Sequence, residues 1–248
     1  MSVLKQVGLV AIFMVSCAQQ VEAQKIKKLL NNAGSLVGGK TKGTTGITNT
    51  EITAGLREAL QVGAKNATGK LSLPNGFLGN ALVKVFLPPE AKKVENTLRS
   101  IGMGNYVEKA IVSMNRAAED ASIKALPIFT NAIKGMTIQD ALSILNGNED
   151  AATQYLKSRT AQQLTDAFRP IISQSLEKVN ATKYWTEVFE TYNALPTTFN
   201  KVNPDLTAYV TEKALAGVFI TIAEEERKIR VDPAARVSDI LKKVFAKP

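Results

Sequence analysis

The chain has 248 residues, 45% of them hydrophobic and 21% charged, enough for a well-buried core, and its 6% aromatic content with abundant Ala and Leu favours packed helices over a β-sandwich or barrel. It contains no His and one Cys, which excludes Ser-His-Asp and Cys-His catalysis, His-ligated metal sites, disulfides within one chain and cysteine-ligated clusters, so no cofactor is expected. The net charge of +9 favours anionic partners, but the basic residues are scattered as on an ordinary solvated surface, and no nucleic-acid partner is expected.

The N-terminus reads as an export signal, with Lys5 ahead of the uncharged apolar run Val7 to Val15, a run short for a membrane span. Two processing sites compete. Met14-Val15-Ser16-Cys17 resembles a lipobox, with Met14 where Leu is more usual, and would make Cys17 an acylated first residue after a signal of 1–16. Val21-Glu22-Ala23 has the small-x-small pattern of ordinary cleavage and would remove 1–23, Cys17 included. Either way the chain is expected in a bacterial envelope, membrane-anchored or soluble in the periplasm. Residues 24–47, with Gly34, Gly38, Gly39, Gly43 and Gly46 among Lys, Ser and Thr, read as a flexible linker, and Gly38-Gly39-Lys40-Thr41 lacks the upstream Gly and strand of a phosphate loop.

Residues 48–248 are expected to form a single all-α, bundle-like domain. Ile52, Leu56, Ala59, Leu60 and Gly63 repeat at helical spacing behind Asn49 or Thr50 as N-cap, with Gly69 as the stop. Pro74-Asn75-Gly76 marks a turn, and the alternation from Val83 to Leu87 predicts a short strand or extended segment near 82–87, closed by Pro88-Pro89. Helices follow at 90–101 and 105–126, the second with a small-residue surface at Ala110, Ala117, Ala118, Ala121 and Ala125, and Pro127 either kinks it or opens the next. Thr137 and Asp140 form a capping-box-like pair before a helix ended by Gly147. Short helices at 149–158 and 161–168 are expected, then a fresh start at Pro170 running to Tyr192 past the only tryptophan, Trp185. Asn203-Pro204 and Asp232-Pro233 read as cap-plus-proline openings of helices at 206–230 and 233–246.

Leu56-Arg57-Glu58-Ala59-Leu60, Asn75-Gly76-Phe77-Leu78-Gly79-Asn80, Met114-Asn115-Arg116-Ala117-Ala118-Glu119, Ala151-Ala152-Thr153-Gln154-Tyr155, Tyr209-Val210-Thr211 and Ile229-Arg230-Val231-Asp232-Pro233 resemble, in this order, the signature blocks of the domain of unknown function 4197 family of exported bacterial proteins. The resemblance runs from about Thr48 to Phe245. It implies one mostly helical domain behind a Sec-type signal, and it carries no activity. Some relatives resemble lipoproteins and others soluble periplasmic proteins, so both fates of Cys17 stay open.

Polar residues in and near these blocks are the candidates for chemistry. Asn115, Arg116 and Glu119 lie within one helical turn, and Asp140, Glu225, Glu226, Arg230, Arg236 and Asp239 complete the set, with Glu226 and Arg230 spaced to pair. These residues either line a pocket, with Arg116 or Arg236 gripping an anionic head group and Glu119 orienting it, or dock neighbouring helices through ion pairs and helix-end contacts. Glu119 and Glu225 are the pair that a His-free hydrolase of an envelope polymer would use. Glu224-Glu225-Glu226 diverge by about 100° per residue and are expected to form a solvated acidic face with at most one Glu inward, not a metal site. Lys242, Lys243 and Lys247 give the last helix a basic amphipathic end that either touches anionic lipid or packs its apolar side on the domain. The expected function is a non-catalytic binding or scaffolding component of the envelope, its partner an envelope protein or, in a second reading, an amphiphile held between helices.

Overall fold

The computed structural model of the protein describes residues 48–194, 201, 205–232 and 242. Cys17, the export segment, the linker, the helix expected at 233–246 with Arg236 and Asp239, and the basic end apart from Lys242 lie outside the described residues.

Helix α1, Asn49–Leu71, starts one residue earlier than expected, because Thr48 and Glu51 form a full capping box: the Thr48 side chain accepts from the Glu51 N–H at 3.2 Å and the Glu51 carboxylate accepts from the Thr48 N–H at 2.9 Å. The helix also runs through Gly69. A mid-helix glycine costs about 1 kcal/mol, whereas burying Leu71, fully enclosed two residues later, is worth about 2 kcal/mol. The segment from Ser72 to Pro88 then folds back as a turn, with Asn75 at φ 67°, and an extended stretch at 84–88. It drives Phe77, Val83 and Val85 into the core. The stretch has no strand beside it, and no strand occurs among the described residues.

A 3₁₀ turn, Pro89–Ala91, leads into α2, Lys92–Ser100, and Gly102 at φ 81° turns the chain into α3, Gly104–Ser122. Four small residues, Ala117, Ala118, Ala121 and Ala125, have no exposed surface, consistent with close approach of the neighbouring helices. Helix α4, Ala125–Lys134, carries Pro127 in its first turn, where no intrahelical N–H bond is due. The proline therefore starts a helix and does not kink α3, which ends four residues before the expected boundary. Helix α5, Ile138–Leu145, opens on the expected Thr137 and Asp140 box.

The largest departure is α6, Ala151–Glu177, one helix of 27 residues where three starts were expected. Its buried positions at Ala152, Leu156, Thr160, Leu164, Phe168, Ile172 and Leu176 repeat every fourth residue without a break. Each step advances the stripe by about 40° around the axis, so the helix presents successive faces to different neighbours. Pro170 and Asp166, whose carbonyl loses its N–H partner, are both exposed, so the carbonyl lies on the side of the helix that faces solvent. The break falls instead at Asn180, at φ 54°, before α7, Ala181–Asn193. Helix α8, Leu206–Val231, is capped by Asp205, whose side chain accepts from the Ala208 N–H at 2.8 Å; the cap is two residues beyond the Asn203 expected from sequence.

Helices α6 and α8 pack antiparallel, with the start of α8 tied to Arg169 by the Asp205 carboxylate and its far end lying against Ala152 and Thr153. Around them α1, α3 and α4 close one hydrophobic core, in which Phe129 and Phe219 meet edge to face at 6.0 Å. Helix α8 is long and apolar enough to cross a membrane by length and composition, but its window is 56% buried within the protein's own core.

Candidate functional site

Two polar constellations, a capping contact at Asp140 and one groove are built on this frame. The first lies on α3. Asn115 is fully buried, and its amide faces the extended stretch, accepting from the Val85 N–H at 2.8 Å and donating to the Val85 carbonyl at 2.8 Å. The side chain thus pairs with Val85 as a neighbouring strand would, which is why 84–88 stays extended with no strand beside it. One turn further, the buried Glu119 accepts from the N–H groups of Phe77 and Leu78, both at 3.1 Å, and pairs with Arg116 at 2.5 Å. Arg116 also donates to the Asn75 side chain at 2.9 Å. Asn115, Arg116 and Glu119 thus lie along one stretch of α3 and hold the segment 72–88 on it. Arg116 spans Asn75 and Glu119 at the surface and does not line an interhelical pocket.

The second constellation joins three helices. Asp150 supplies no side-chain cap to α6, and Glu226 of α8 supplies it from across the core: its carboxylate accepts from the N–H groups of Ala152 and Thr153 at 3.0 and 2.8 Å and from the Thr153 hydroxyl at 2.8 Å. Arg230 donates to the same carboxylate at 2.9 Å and to the Ile144 carbonyl at 3.0 Å, adding the end of α5. Beside it Glu225 accepts from Asn66 of α1 at 3.1 Å and pairs with Lys228. The expectation of at most one inward Glu is corrected: Glu225 and Glu226 are both buried, because α8 is flanked by α1 on one side and α6 on the other. Glu224 alone stays at the surface, 4.0 Å from Lys70.

Asp140 stays at the start of α5, where the backbone N–H and the hydroxyl of Thr137 hold its carboxyl below the usual aspartate range. Arg159 of α6 stands 3.8 Å away. Glu119 and Glu225, the pair weighed for hydrolysis, each bind a separate set of partners and form no shared cluster.

The interior between α1, α6 and α8 leaves a void of about 20 Å³, lined by side chains such as Leu60, Leu156, Ile222 and Glu226, about the room one water needs. No ligand-sized crevice opens there.

A cavity of about 440 Å³ lies instead at the surface, between the extended stretch, α2 and α3. Sequence reasoning did not single out its charged rim, although the alternation at Lys84 and Phe86 and the i,i+4 spacing of Glu95 and Arg99 were visible signals. Its floor is apolar, formed by Leu87, Pro88 and Ile111, and Phe86 stands over it half-exposed. Along one side runs a ladder of ion pairs, Lys92 to Glu95 at 3.0 Å, Glu95 to Arg99 at 2.9 Å and Arg99 to Glu108 at 2.7 Å. The Lys92 contact draws the Glu95 carboxyl below its usual range, burial opposes it, and Arg99 adds to the lowering. Tyr209 of α8 donates to the Phe86 carbonyl at 2.8 Å and stacks with Trp185 of α7 at 6.4 Å. Burial, with Glu212 and Glu90 nearby, pushes its phenol up to about 12, so it remains a donor.

A family model described as protein of unknown function (DUF4197) matches residues 46–246. The chain belongs to this family. The match takes in every constellation above and the groove. No curated protein and no solved structure matches the chain.

Proposed function

We propose that this DUF4197 protein is a non-catalytic binding or scaffolding component of the bacterial envelope, exported by its N-terminal segment and either anchored through an acylated Cys17 or free in the periplasm. One observation carries the non-catalytic reading. The buried polar side chains in and near the family blocks, Asn115, Glu119, Glu225 and Glu226, are engaged by main-chain donors and neighbouring side chains of the same domain, which suits a rigid platform. The groove beside Phe86 favours a second reading within the same function, in which the platform holds an amphiphilic molecule at its surface and not between its helices.

The test is to express the full chain with its own N-terminus in a bacterial host, fractionate the cells and weigh the mature protein under denaturing conditions. A chain starting at Cys17 with three acyl chains, or one starting at Gln24, recovered with the envelope is the expected result. An unprocessed chain starting at Met1 in the cytoplasm overturns the envelope reading. Cross-linking in intact cells then separates the two roles, a scaffold giving discrete adducts with envelope proteins.

A further inference from the structure

We propose that the groove between the extended stretch, α2 and α3 binds an amphiphile carrying one negative charge, with its head group at Lys84 and its apolar body over Leu87, Pro88 and Ile111. This rests on the binding role above and names the ligand class. The volume of about 440 Å³ lies in the range of small-molecule sites, about 300–1,000 Å³.

The charge comes from counting which ionic groups are already matched. Lys92, Glu95, Arg99 and Glu108 form an unbroken ladder of two cations and two carboxylates, neutral as a unit. Lys84 is the remaining ionic group of the lining, and its ammonium lies over the Phe86 ring at 5.3 Å with no carboxylate at ion-pair distance among the described residues. The groove thus carries one unmatched positive charge beside an apolar floor. A dianion would meet the two carboxylates of the ladder, and a neutral apolar molecule would leave Lys84 unmatched.

The geometry follows from Asn115. By fixing both main-chain groups of Val85, it turns the Val85 side chain into the core, and the alternation of an extended chain puts Lys84 and Phe86 together on the opposite side. The aromatic ring and the ammonium are thereby placed side by side at the groove, the cation held near the π-face until an anion replaces that contact.

The shared chemistry, an apolar chain with one anionic head, belongs both to a fatty carboxylate and to a lysophosphatidylglycerol. The probes are decanoate, decanoyl-lysophosphatidylglycerol, decanol and decyltrimethylammonium, each titrated below its micellar concentration into the mature chain and followed by calorimetry and native mass spectrometry. Saturable 1:1 binding of at least one anionic probe is expected, about tenfold tighter than decanol, weakened by added salt and absent for the cation. The tighter of the two anionic probes identifies the source. Lys84→Gln should weaken the anion about tenfold while leaving decanol unchanged, and Phe86→Ser should weaken both. Lys109→Gln on the exposed side of α3, whose ammonium lies by Tyr106 and not by the groove, should change neither. Circular-dichroism melts on each variant guard against misfolding, and both groove side chains are exposed enough to be replaced without emptying the core. Equal binding of decanol or of the cation, or an effect of Lys109→Gln as large as that of Lys84→Gln, overturns the proposal. So does the absence of binding by both anions, and in that case envelope recovery and discrete cross-links would still leave the scaffold standing.

Discussion

Replacing Asn115 with Leu tests the idea that one side-chain amide stands in for a missing strand. The amide satisfies the Val85 N–H and carbonyl, and Val85 is 1% exposed, so water has no ready access to either group. The Ile111 carbonyl, the third partner at 2.7 Å, lies four residues back along α3 and already has its helical donor, so its loss counts for less. Orphaning a buried donor or acceptor costs about 1–3 kcal/mol, so two cost about 4 kcal/mol. Burial of the leucine side chain returns part of this, leaving about 3 kcal/mol. For a domain of this size 1 kcal/mol corresponds to about 2–4 °C, and the melting temperature should fall by about 6–12 °C. Urea melts give the free energy, and hydrogen exchange gives its location, since the amides of 77–87 should lose protection before those of α6. Asn115→Asp sharpens the test. It keeps an acceptor for the Val85 N–H but points a second oxygen at two carbonyls, so its deficit relative to the parent should be large at pH 7 and shrink toward pH 4 as protonation restores a donor. If Asn115→Leu changes stability by less than about 1 kcal/mol with the Val85 amide still protected, the strand-substitute reasoning is wrong.

Glu226→Ala removes the cap of α6 and breaks the largely buried pair with Arg230, a loss of about 3–5 kcal/mol, and a urea melt unchanged within about 1 kcal/mol would show that the contact is dispensable. Two glycines should answer oppositely in thermal melts: Gly69→Ala, in open space on α1, should stabilise by about 0.5–1 kcal/mol, whereas Gly217→Ala would set its methyl 2.5 Å from Phe77 Cε1 and destabilise by about 1–3 kcal/mol. The opposite order would place the α8 contact with Phe77 elsewhere. Asp140, Asp205 and Glu95 titrate below their usual ranges: for Asp205 burial pushes up but is outweighed by the Ala208 N–H and Arg169. Carboxyls lowered by folding stabilise above their unfolded values, about 4, and that stability is lost as pH falls through the folded values. Melting temperature should therefore hold from pH 7 to about 5 and decline below about 4, a decline that Thr137→Val, which removes a donor to Asp140, should make shallower.

Tyr209 runs the other way. Its phenol is raised to about 12, so whatever stability it adds is present below the unfolded value of about 10 and is lost as pH rises through about 12. Tyr209→Phe should cost about 1 kcal/mol at pH 7, the worth of its bond to the Phe86 carbonyl, and should flatten the alkaline limb of the melt profile. An unchanged alkaline limb would assign that limb to other groups.

The sequence by itself determined the all-α class, the family and most of the helices, but of the caps that act within one turn only that at Thr137 was read on the right residue, those at Thr48 and Asp205 being expected at Asn49 or Thr50 and at Asn203. Thr137 with Asp140 was legible because both bonds of a capping box join residues three apart. Thr48 with Glu51 carried the same signal, and the start at Asn49 follows from it. The spacing of Asn115, Arg116 and Glu119 was legible too, but not what they hold. Their partners lie 30 to 42 residues away along the chain, and Glu226 reaches 73 and 74 residues back to cap α6. Such pairings follow from which helix faces are buried together, and no local propensity encodes them. Pro170 shows the same division. Locally it reads as a start, yet its cost in a helix depends on whether the freed carbonyl of Asp166 meets water, and the packing of α6 turns that face outward. The groove was legible only in its parts: the alternation around Val85 put Lys84 and Phe86 on one side, but Asn115 pins that side outward, and they meet Glu95 and Arg99 only because α2 folds back beside the extended stretch.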